Sequence, residues 1–479
     1  MIVNQCPLAL AERAGNVNIF LLISDTFRYD NLSGRAAMPV RTPELERFAA
    51  RAVTVTGSYN SSFPTIPLRT DLTSGRYSWP WHGWQNRLKS SKNHLPELLR
   101  GAGYVSQLLT DTPHLFNEDF QVGFDASFCL RGQEGDLAML RMNYPIEHVM
   151  PPEKTRAGRH FRGANLVDLA RWQHRHWYRE EDRFAPRLSN LVCEWLEENY
   201  RFHPLFLWAD LFDPHEPWDP PECLVRRYDP DYAGTPMLHP NYGKADDLAP
   251  AELRNLRAHY AAEAELVDRS VGRILQKIDD LDLWSNSIVV FTSDHGTSLG
   301  EHNRTGKSNI NPRDDRCWPI YPEVAHVPLL VAAPGLKGGR SVDALVQAPD
   351  LLPTLLDLAG AAVRPADPFL GRSFAPLLRG QAQKPLHEFV ISGSYLRRKP
   401  GAAPEKEVTP VLYTHEWAYV PLGPQGERQL FDLGRDPYAE TDLAPRRPEV
   451  VRDLDAKLVG WLKDLDAPPE AAAALEPPR

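Results

Sequence analysis

The sequence contains little of what membrane-spanning, nucleic-acid-binding and disulfide-rich proteins require. Its 479 residues include no run of 18 apolar residues, so no membrane-spanning helix is expected. Lysine and arginine number 54 against 63 aspartate and glutamate residues, and the net charge of -9 argues against a surface that neutralises nucleic-acid phosphates. The five cysteines lack both the paired spacing of a metal site and the density of a disulfide framework.

The first residues, 1–15, also lack the basic start and apolar stretch of a secretory signal. Scattered cysteines of this kind are typical of free thiols in a reducing compartment. The sequence therefore predicts a cytoplasmic location. A hydrophobic fraction of 42% with 24% charged residues is typical of a globular protein with a large buried core.

Short apolar segments alternate with helical patterns along most of the chain. The apolar segments predict buried strands at residues 19–23, 205–211, 287–291 and 327–332. The clearest helical pattern covers residues 251–281, where apolar side chains recur every three or four positions. This alternation predicts an α/β fold with a large mixed, mostly parallel sheet and helices on both faces.

The pattern changes after residue 380. Short strand candidates and a polar helix predict a small C-terminal subdomain with an antiparallel sheet at residues 381–479, which ends in a mobile tail. Residues 1–380 are expected to form the main α/β domain. Within it, residues 131–182 have weak periodicity and predict an insertion or lid, which either contacts the substrate or is an irregular surface excursion.

Residues 65–76 place a hydroxyl group where a helix begins and an arginine one turn later. Thr65 is a suitable N-cap, Pro67 is tolerated in the first turn and Gly75 is a suitable stop. The free N–H groups of a helix N-terminus favour an anionic ester and a developing alkoxide. Alone, such a segment is more often an ordinary capped helix, so its meaning depends on further motifs.

Four separated segments together resemble the sulfatase branch of the alkaline phosphatase superfamily. Residues 18–30 resemble the family's opening strand and metal-binding aspartate, and residues 65–76 resemble its Cys/Ser-x-Pro-Ser-Arg signature. Residues 212–217 resemble the middle histidine turn, and residues 293–307 resemble the second metal-binding turn and its lysine. Their order and approximate spacing match the family over most of the chain.

The resemblance implies one divalent metal ion. Asp25, Asp294 and His295 would be its ligands, and the hydroxyl oxygen of Thr65 could be a further one. The imidazole favours manganese or zinc, while magnesium, iron(II) and calcium stay open. Thr26 stands where the family commonly has a second aspartate, so the coordination number is open as well.

Thr65 departs from the family at the position of the nucleophile. Sulfatases oxidise a cysteine or serine here to formylglycine, and threonine is not a substrate for that conversion as the family is understood. An unmodified threonine can attack a phosphorus ester when a metal, the helix terminus and Arg69 stabilise its alkoxide. A threonine sulfate would have no elimination route, so we predict hydrolysis of a phosphodiester or phosphonate monoester. Ser62 is a rival start of the signature, but it lacks the matching arginine.

Three further side chains complete the predicted catalytic set. Lys307 would stabilise the transferred or leaving oxygens, and His215 or His114 would protonate the leaving group. Each also has a structural interpretation, Lys307 as a solvated loop residue and His215 as a turn residue between prolines.

Two alternatives to the phosphorus-ester hydrolase stay open. The first is a sulfate-ester hydrolase that uses unmodified Thr65, and the second is a catalytically silent, sulfatase-like binding protein. The expected partner is a small-molecule anionic ester, with neither nucleic acid nor membrane, and the chain is free to form a homo-oligomer.

Overall fold

The structure is a computed structural model that describes most of the chain. The described residues are 17–86, 91–134, 136, 160–161, 164–165, 177–308, 314–381, 384–396 and 407–476. Most of the predicted insertion at 131–182 therefore lies outside the described residues.

An eight-stranded sheet forms the centre of the molecule. Its strands, in order across the sheet, are Arg340–Val346, Val53–Ser58, Leu329–Ala332, Ser287–Ser293, Asn18–Ser24, Leu205–Leu211, Val105–Thr110 and Ala126–Cys129. Leu329–Ala332 runs antiparallel to both its neighbours, and every other neighbouring pair is parallel. The predicted mixed, mostly parallel sheet is confirmed.

The central strand Asn18–Ser24 shows how the core is divided. All seven of its residues are buried, and successive side chains point to opposite faces of the sheet. Leu21 packs in a cluster on one face, while Phe20 and Leu22 pack in a second cluster on the other. A strand with both faces covered needs a continuous apolar run, which is the pattern visible in the sequence.

Helices cover both faces. The first face is covered by Thr65–Ser74, Leu95–Gly101, Ala348–Ala359 and Ala375–Leu378. The second face is covered by Pro43–Arg51, Phe184–Asn199 and Pro250–Asp280. The last of these has 31 residues and confirms the helix predicted at 251–281.

A second sheet of five strands involves the C-terminal part of the chain. Its order is Gln429–Asp432, Trp417–Val420, Val411–Tyr413, Val390–Ser394 and Ser62–Phe63. The first four strands are antiparallel, whereas Ser62–Phe63 pairs in parallel with Val390–Ser394. The segment directly before Thr65 is thus fixed by strands that lie more than 300 residues later in the chain.

The helix Pro448–Asp464 packs on this second sheet through Leu454 and Leu458. In the segment whose mobility the sequence predicts, the structure describes the short helix Pro469–Ala473, and Leu475 is buried against the same cluster. The apolar side chain of Leu475 gives this segment a core contact that its Ala/Pro/Glu-rich composition did not suggest.

The described chain also contains several short elements. They are the helices Asp30–Ser33, Pro113–Asn117, Glu222–Tyr228 and Pro322–Ala325, the 3₁₀ helices Glu180–Asp182, Ala245–Asp247, Trp284–Asn286, Glu301–Asn303 and Ala444–Arg446, and the paired two-residue strands Ser298–Leu299 with Thr305–Gly306, Trp318–Pro319 with Val408–Thr409, and His160–Phe161 with Ala164–Asn165. Among the helices described, none combines the length and the apolar character needed to cross a bilayer.

Candidate active site

The carboxyl ends of three neighbouring parallel strands bring acidic residues together. Asp25 directly follows the strand Asn18–Ser24, and Asp294 directly follows Ser287–Ser293, whose last residue pairs with Ser24. Asp210 is the last residue but one of the strand on the other side, Leu205–Leu211. Parallel strands end at one edge of a sheet, so three carboxylates from distant parts of the chain meet there.

Asp25, Asp294 and His295 form a group that could hold a metal ion. One potential ligand atom from each lies within 4.8 Å of the other two, and all three residues are buried. His295 Nε2 lies 3.6 Å from Asp294 Oδ2 and 3.9 Å from Asp25 Oδ1. Its Nδ1 lies 3.0 Å from the carbonyl oxygen of Gly296, which can only accept, so Nδ1 carries the proton and Nε2 presents a lone pair.

One nitrogen atom of this group, His295 Nε2, indicates whether a cation fits. Within the described chain, His295 Nε2 is buried and has no hydrogen-bond partner. A buried polar atom without a partner is costly, and a cation among two carboxylates and one imidazole would satisfy it. The donor set therefore fits a single divalent metal ion.

Thr65 lies at this group, although it is not the helix N-cap that the sequence predicted. The helix begins at Thr65 itself, and the preceding residue, Pro64, occupies the N-cap position. The Thr65 side chain is therefore free of capping, and its Oγ1 donates a hydrogen bond of 3.3 Å to Asp25 Oδ2. Gly75 ends the helix in the left-handed conformation, as predicted.

Arg69 connects the acidic residues with the helix. Its guanidinium is fully buried and makes a two-pronged contact with Asp210, through Nε at 2.8 Å and Nη2 at 2.9 Å. Nη1 donates to Asp294 Oδ2 at 2.6 Å and to the carbonyl oxygen of Thr65 at 3.2 Å, and Nη2 lies 3.4 Å from Asp25 Oδ2. Three carboxylates thus surround one guanidinium, which leaves an excess of negative charge.

Burial and mutual repulsion shift the pKa values of this group. Burial raises the pKa of Asp25 well above its usual range, and the negative charge of Asp294 raises it further. Burial also acts to raise the pKa of Asp294, but His295 and Arg69 outweigh it and lower that pKa. Burial lowers the pKa of His295 to about 4, which keeps its imidazole neutral and able to bind a metal.

Thr26 links the acidic group to Lys307. The Lys307 Nζ atom donates to Thr26 Oγ1 at 3.1 Å, and this hydroxyl donates to Asp25 Oδ1 at 2.7 Å. Thr26 has a φ of 64°, a left-handed conformation that a β-branched residue rarely adopts. Its backbone N–H donates to Asp294 Oδ1 at 3.0 Å, so the strained residue is held at the place where the family commonly has its second aspartate.

Glu216 holds Lys307 from the other side. Lys307 Nζ donates to Glu216 Oε2 at 3.2 Å, and the hydroxyl of Tyr242 donates to Glu216 Oε1. Burial acts to raise the pKa of Glu216, but His215 and Lys307 outweigh it and lower the pKa to about 2. The carboxylate is therefore charged at neutral pH and positions the ammonium group.

His215 lies beside this pair with a defined tautomer. Its Nδ1 is 2.7 Å from the carbonyl oxygen of Glu216, so in the neutral ring the proton resides on Nδ1 and Nε2 is an acceptor. Burial lowers the pKa of His215 well below its usual range. The ring stacks on Phe212 at 4.1 Å, and Phe212 also contacts His114, whose ring centre is 6.0 Å away.

The structure brings Thr65, Arg69 and Lys307 together with the three predicted metal ligands, and it places His215 next to Lys307. The link of His114 to this group runs through Phe212, and its ring packs edge-on against Trp84. Sequence reasoning missed Asp210 and Glu216. A charged residue at the end of an apolar strand was a signal for Asp210, and Glu216 lies next to His215 in the segment 212–217 but was assigned no role there.

The fold places a group that could hold a metal ion at the carboxyl edge of a mostly parallel sheet. The model of the sulfatase family matches residues 17–361, and the chain belongs to that family. Arylsulfatase K of Mus musculus is 26% identical over 496 residues, which cover 96% of this chain and 80% of that protein.

Two solved structures share the fold. The phosphonate monoester hydrolase SpPMH from Silicibacter pomeroyi has a TM-score of 0.71 at 21% identity, with 94% of this chain and 95% of that chain covered. BT4656, in complex with its substrate D-glucosamine-2-N,6-O-disulfate, has a TM-score of 0.70 at 17% identity, with 96% and 99% covered.

The predicted cytoplasmic location is wrong, because the relatives named arylsulfatase K contradict it. The prediction relied on the character of residues 1–15 and on unpaired cysteines. Neither observation determines the compartment of a folded enzyme.

Proposed function

We propose that this sulfatase-family protein hydrolyses a sulfate ester of a small anionic molecule, with Thr65 as the attacking group. The observation that carries the proposal is the hydrogen bond from Thr65 Oγ1 to Asp25, inside the group that contains the orphaned His295 Nε2. The choice of a sulfate ester is supported by the name of the Mus musculus relative, which aligns with nearly the whole chain. It replaces the preference for phosphorus that Thr65 alone suggested.

Asp25, Asp294 and His295 would hold one divalent cation, with manganese or zinc favoured by the imidazole. When bound, the cation supplies Lewis-acid chemistry, which lowers the pKa of a hydroxyl group and offsets charge on the transferred group. Three carboxylates against the single guanidinium of Arg69 leave two negative charges, the number that a divalent cation neutralises.

In the first step, the Thr65 oxygen attacks the sulfur atom and the alcohol departs. Asp25 accepts the hydrogen bond of this hydroxyl and is placed to take its proton. Lys307 is held between Thr26 and Glu216 as an ammonium donor, suited to stabilise and protonate the departing oxygen.

In the second step, water attacks the sulfur of the threonyl ester, sulfate is released, and Asp25 returns its proton to the departing Thr65 oxygen. His215 was predicted to be an acid for the leaving group, but its tautomer favours the opposite role. Because Nδ1 donates to Glu216 O and burial lowers the pKa, Nε2 is a lone pair that can take a proton from the water.

The chemistry of Thr65 favours a second candidate, hydrolysis of a phosphodiester or phosphonate monoester. A threonine that carries sulfate cannot return to the free enzyme by elimination, so either ester must be hydrolysed by water. The need for hydrolysis by water counts against the sulfate ester, because sulfatases release their sulfate by elimination. It does not count against a phosphorus ester, because phosphoryl-enzyme intermediates are hydrolysed by water in any case.

A substrate panel separates these candidates. Metal-stripped protein is reconstituted with manganese, zinc, magnesium or calcium and assayed on an aryl sulfate, an aryl phosphonate and a bis-aryl phosphate. We expect the highest kcat/KM on the sulfate with manganese or zinc. A higher kcat/KM on either phosphorus ester would replace the sulfate proposal by the second candidate. Absence of turnover on all three, with metal bound, would indicate a binding protein.

A further inference from the structure

Arg304 is a buried cation outside the group around Thr65. It is 1% exposed and lies in the turn between the paired strands Ser298–Leu299 and Thr305–Gly306. Within the described residues, its side chain donates one hydrogen bond, from Nη2 to the carbonyl oxygen of Cys317. Its Nε and Nη1 atoms are buried and have no hydrogen-bond partner there.

The indole of Trp318 has an unsatisfied donor next to this guanidinium. The Cζ atom of Arg304 lies 4.7 Å from the centre of the Trp318 ring. Trp318 is buried, and among the residues that the structure describes its Nε1 has no hydrogen-bond partner. An unpaired buried N–H is destabilising, and more so when the group is charged, so three such donors close together indicate a missing acceptor.

The acidic side chains that flank Arg304 in sequence are already engaged, Glu301 by Arg28 and Asp314 by Arg316. Asp314 is buried and accepts two hydrogen bonds from Arg316, from Nε at 2.9 Å and from Nη2 at 2.7 Å. The described contacts of this carboxylate are with Arg316. Among the residues that the structure describes, Arg304 itself forms no ion pair.

Two other titratable side chains interact electrostatically with Arg304, and neither forms an ion pair with it in the described chain. Burial and the charge of Arg304 lower the pKa of His302 to about 4, so His302 is neutral and brings no anion. Burial and the charge of Glu301 raise the pKa of Glu323 to about 7; its Oε1 accepts a hydrogen bond from the hydroxyl of Ser298 at 2.7 Å, and its Oε2 is buried without a hydrogen-bond partner among the described residues.

We propose that Arg304 and Trp318 form a binding site for a small monovalent anion, with chloride as the natural occupant. Three buried N–H groups here lack an acceptor, two of them belong to a guanidinium without an ion pair in the described chain, and aromatic rings pack closely around them. A halide accepts hydrogen bonds from several directions, carries one charge and needs the space of about one water molecule. The proposal does not depend on the proposed function.

The position of the site gives it a structural role. Arg304 precedes the strand Thr305–Gly306, and Lys307 follows that strand directly. A halide that joins Arg304 to Trp318 would connect this hairpin to the strand Trp318–Pro319, which pairs with Val408–Thr409 of the C-terminal region. It would thereby fix the backbone that presents Lys307.

Thermal unfolding in two salts tests the proposal. The protein is compared in sodium chloride and in sodium gluconate at equal ionic strength, so that screening is the same and only the small anion can enter. We expect the unfolding midpoint to be about 2–4 °C higher in chloride. Arg304→Met should abolish the difference, whereas Arg257→Met, which removes a guanidinium bonded to Leu299 on the same hairpin, should keep it.

A crystal grown in sodium bromide gives a direct readout. An anomalous peak within hydrogen-bonding distance of Arg304 and Trp318 is expected, and it should be absent from Arg304→Met. If that variant fails to fold, Trp318→Phe removes one N–H and keeps the ring, and it should reduce the chloride effect. Equal midpoints in both salts, or a water molecule without anomalous signal at Arg304, would overturn the proposal.

Discussion

Two buried guanidinium groups, Arg69 and Arg304, are surrounded in opposite ways. Arg69 contacts Asp25, Asp210 and Asp294, while the side chain of Arg304 contacts aromatic faces and one carbonyl oxygen among the described residues. Both guanidinium groups are buried, so burial does not decide what each place binds. The uncompensated charge decides it, because excess carboxylates favour a cation and an unpaired guanidinium favours an anion.

The comparison also separates two uses of a buried charge. At Arg69, the charges come from three strand ends and orient Thr65, so removing a part should affect chemistry most. At Arg304, the unsatisfied donors lie in a hairpin behind Lys307, so an occupant should affect stability most.

Thr65→Ala should reduce kcat by about a thousandfold or more, because it removes the proposed attacking oxygen. Thr65→Ser keeps a hydroxyl and should retain measurable turnover. Thr70→Ala is the matched control, since Thr70 lies in the same helix and its hydroxyl bonds to the carbonyl oxygen of Ile66. Steady-state kinetics and circular dichroism on the four proteins check this. Unchanged kcat in Thr65→Ala would move the nucleophile elsewhere, first to Ser62.

Arg69→Met should lower the free energy of unfolding by about 3–5 kcal/mol, because it leaves three carboxylates without their shared cation. Arg304→Met should cause no loss in halide-free buffer, since it replaces an uncompensated charge with an apolar side chain of similar length. Urea unfolding of both variants, without added metal, measures the difference. Equal losses would mean that the two arginines are stabilised in the same way and would contradict the comparison.

Much of this architecture was predictable because it depends on local patterns. The strand Leu205–Leu211 has the bounds that its apolar run predicts, and Asp25 and Asp294 follow apolar runs at the edge where ligands bind. The pairing of Ser62–Phe63 with Val390–Ser394 was not predictable, because two residues carry no periodic pattern and their partner lies far along the chain.

The charge partners escaped sequence reasoning for the same reason. Glu216 lies 91 positions from Lys307, and only the folded chain brings the two side chains within 3.2 Å. The orphaned donors of Arg304 and Trp318 are likewise a property of packing, since neither residue differs in the sequence from an ordinary surface cation or core aromatic. Residue type indicates candidates, and contacts decide which of them act together.

Lys307→Met should reduce kcat by about a hundredfold while metal content stays unchanged, because it removes a donor to the departing oxygen. Glu216→Gln should reduce kcat by about tenfold and shift the pH profile of kcat, since the Lys307 ammonium group is held less firmly but is not removed. In the double variant, the effect of Glu216→Gln should disappear, because its partner is gone. Lys277→Met is the control, because it breaks a surface ion pair with Glu197. It should leave kcat unchanged. Fully additive losses would assign Glu216 a role independent of Lys307.

Metal affinity should increase with pH by about tenfold per unit over the range below the raised pKa of Asp25 and level off above it. The sign follows from burial and Asp294, which raise that pKa, so the metal-free folded protein keeps a proton that the cation must displace. By the same linkage, this group stabilises the metal-free fold at low pH, and its contribution is lost as pH rises through the raised pKa. Calorimetric titration with manganese in two buffers of different ionisation enthalpy counts the released proton. The Asp25→Asn variant should bind manganese more weakly and should release no proton from this position. A pH-independent affinity in the wild type would show that Asp25 is already ionised without metal, and the acidic excess around Arg69 would then be compensated by other groups.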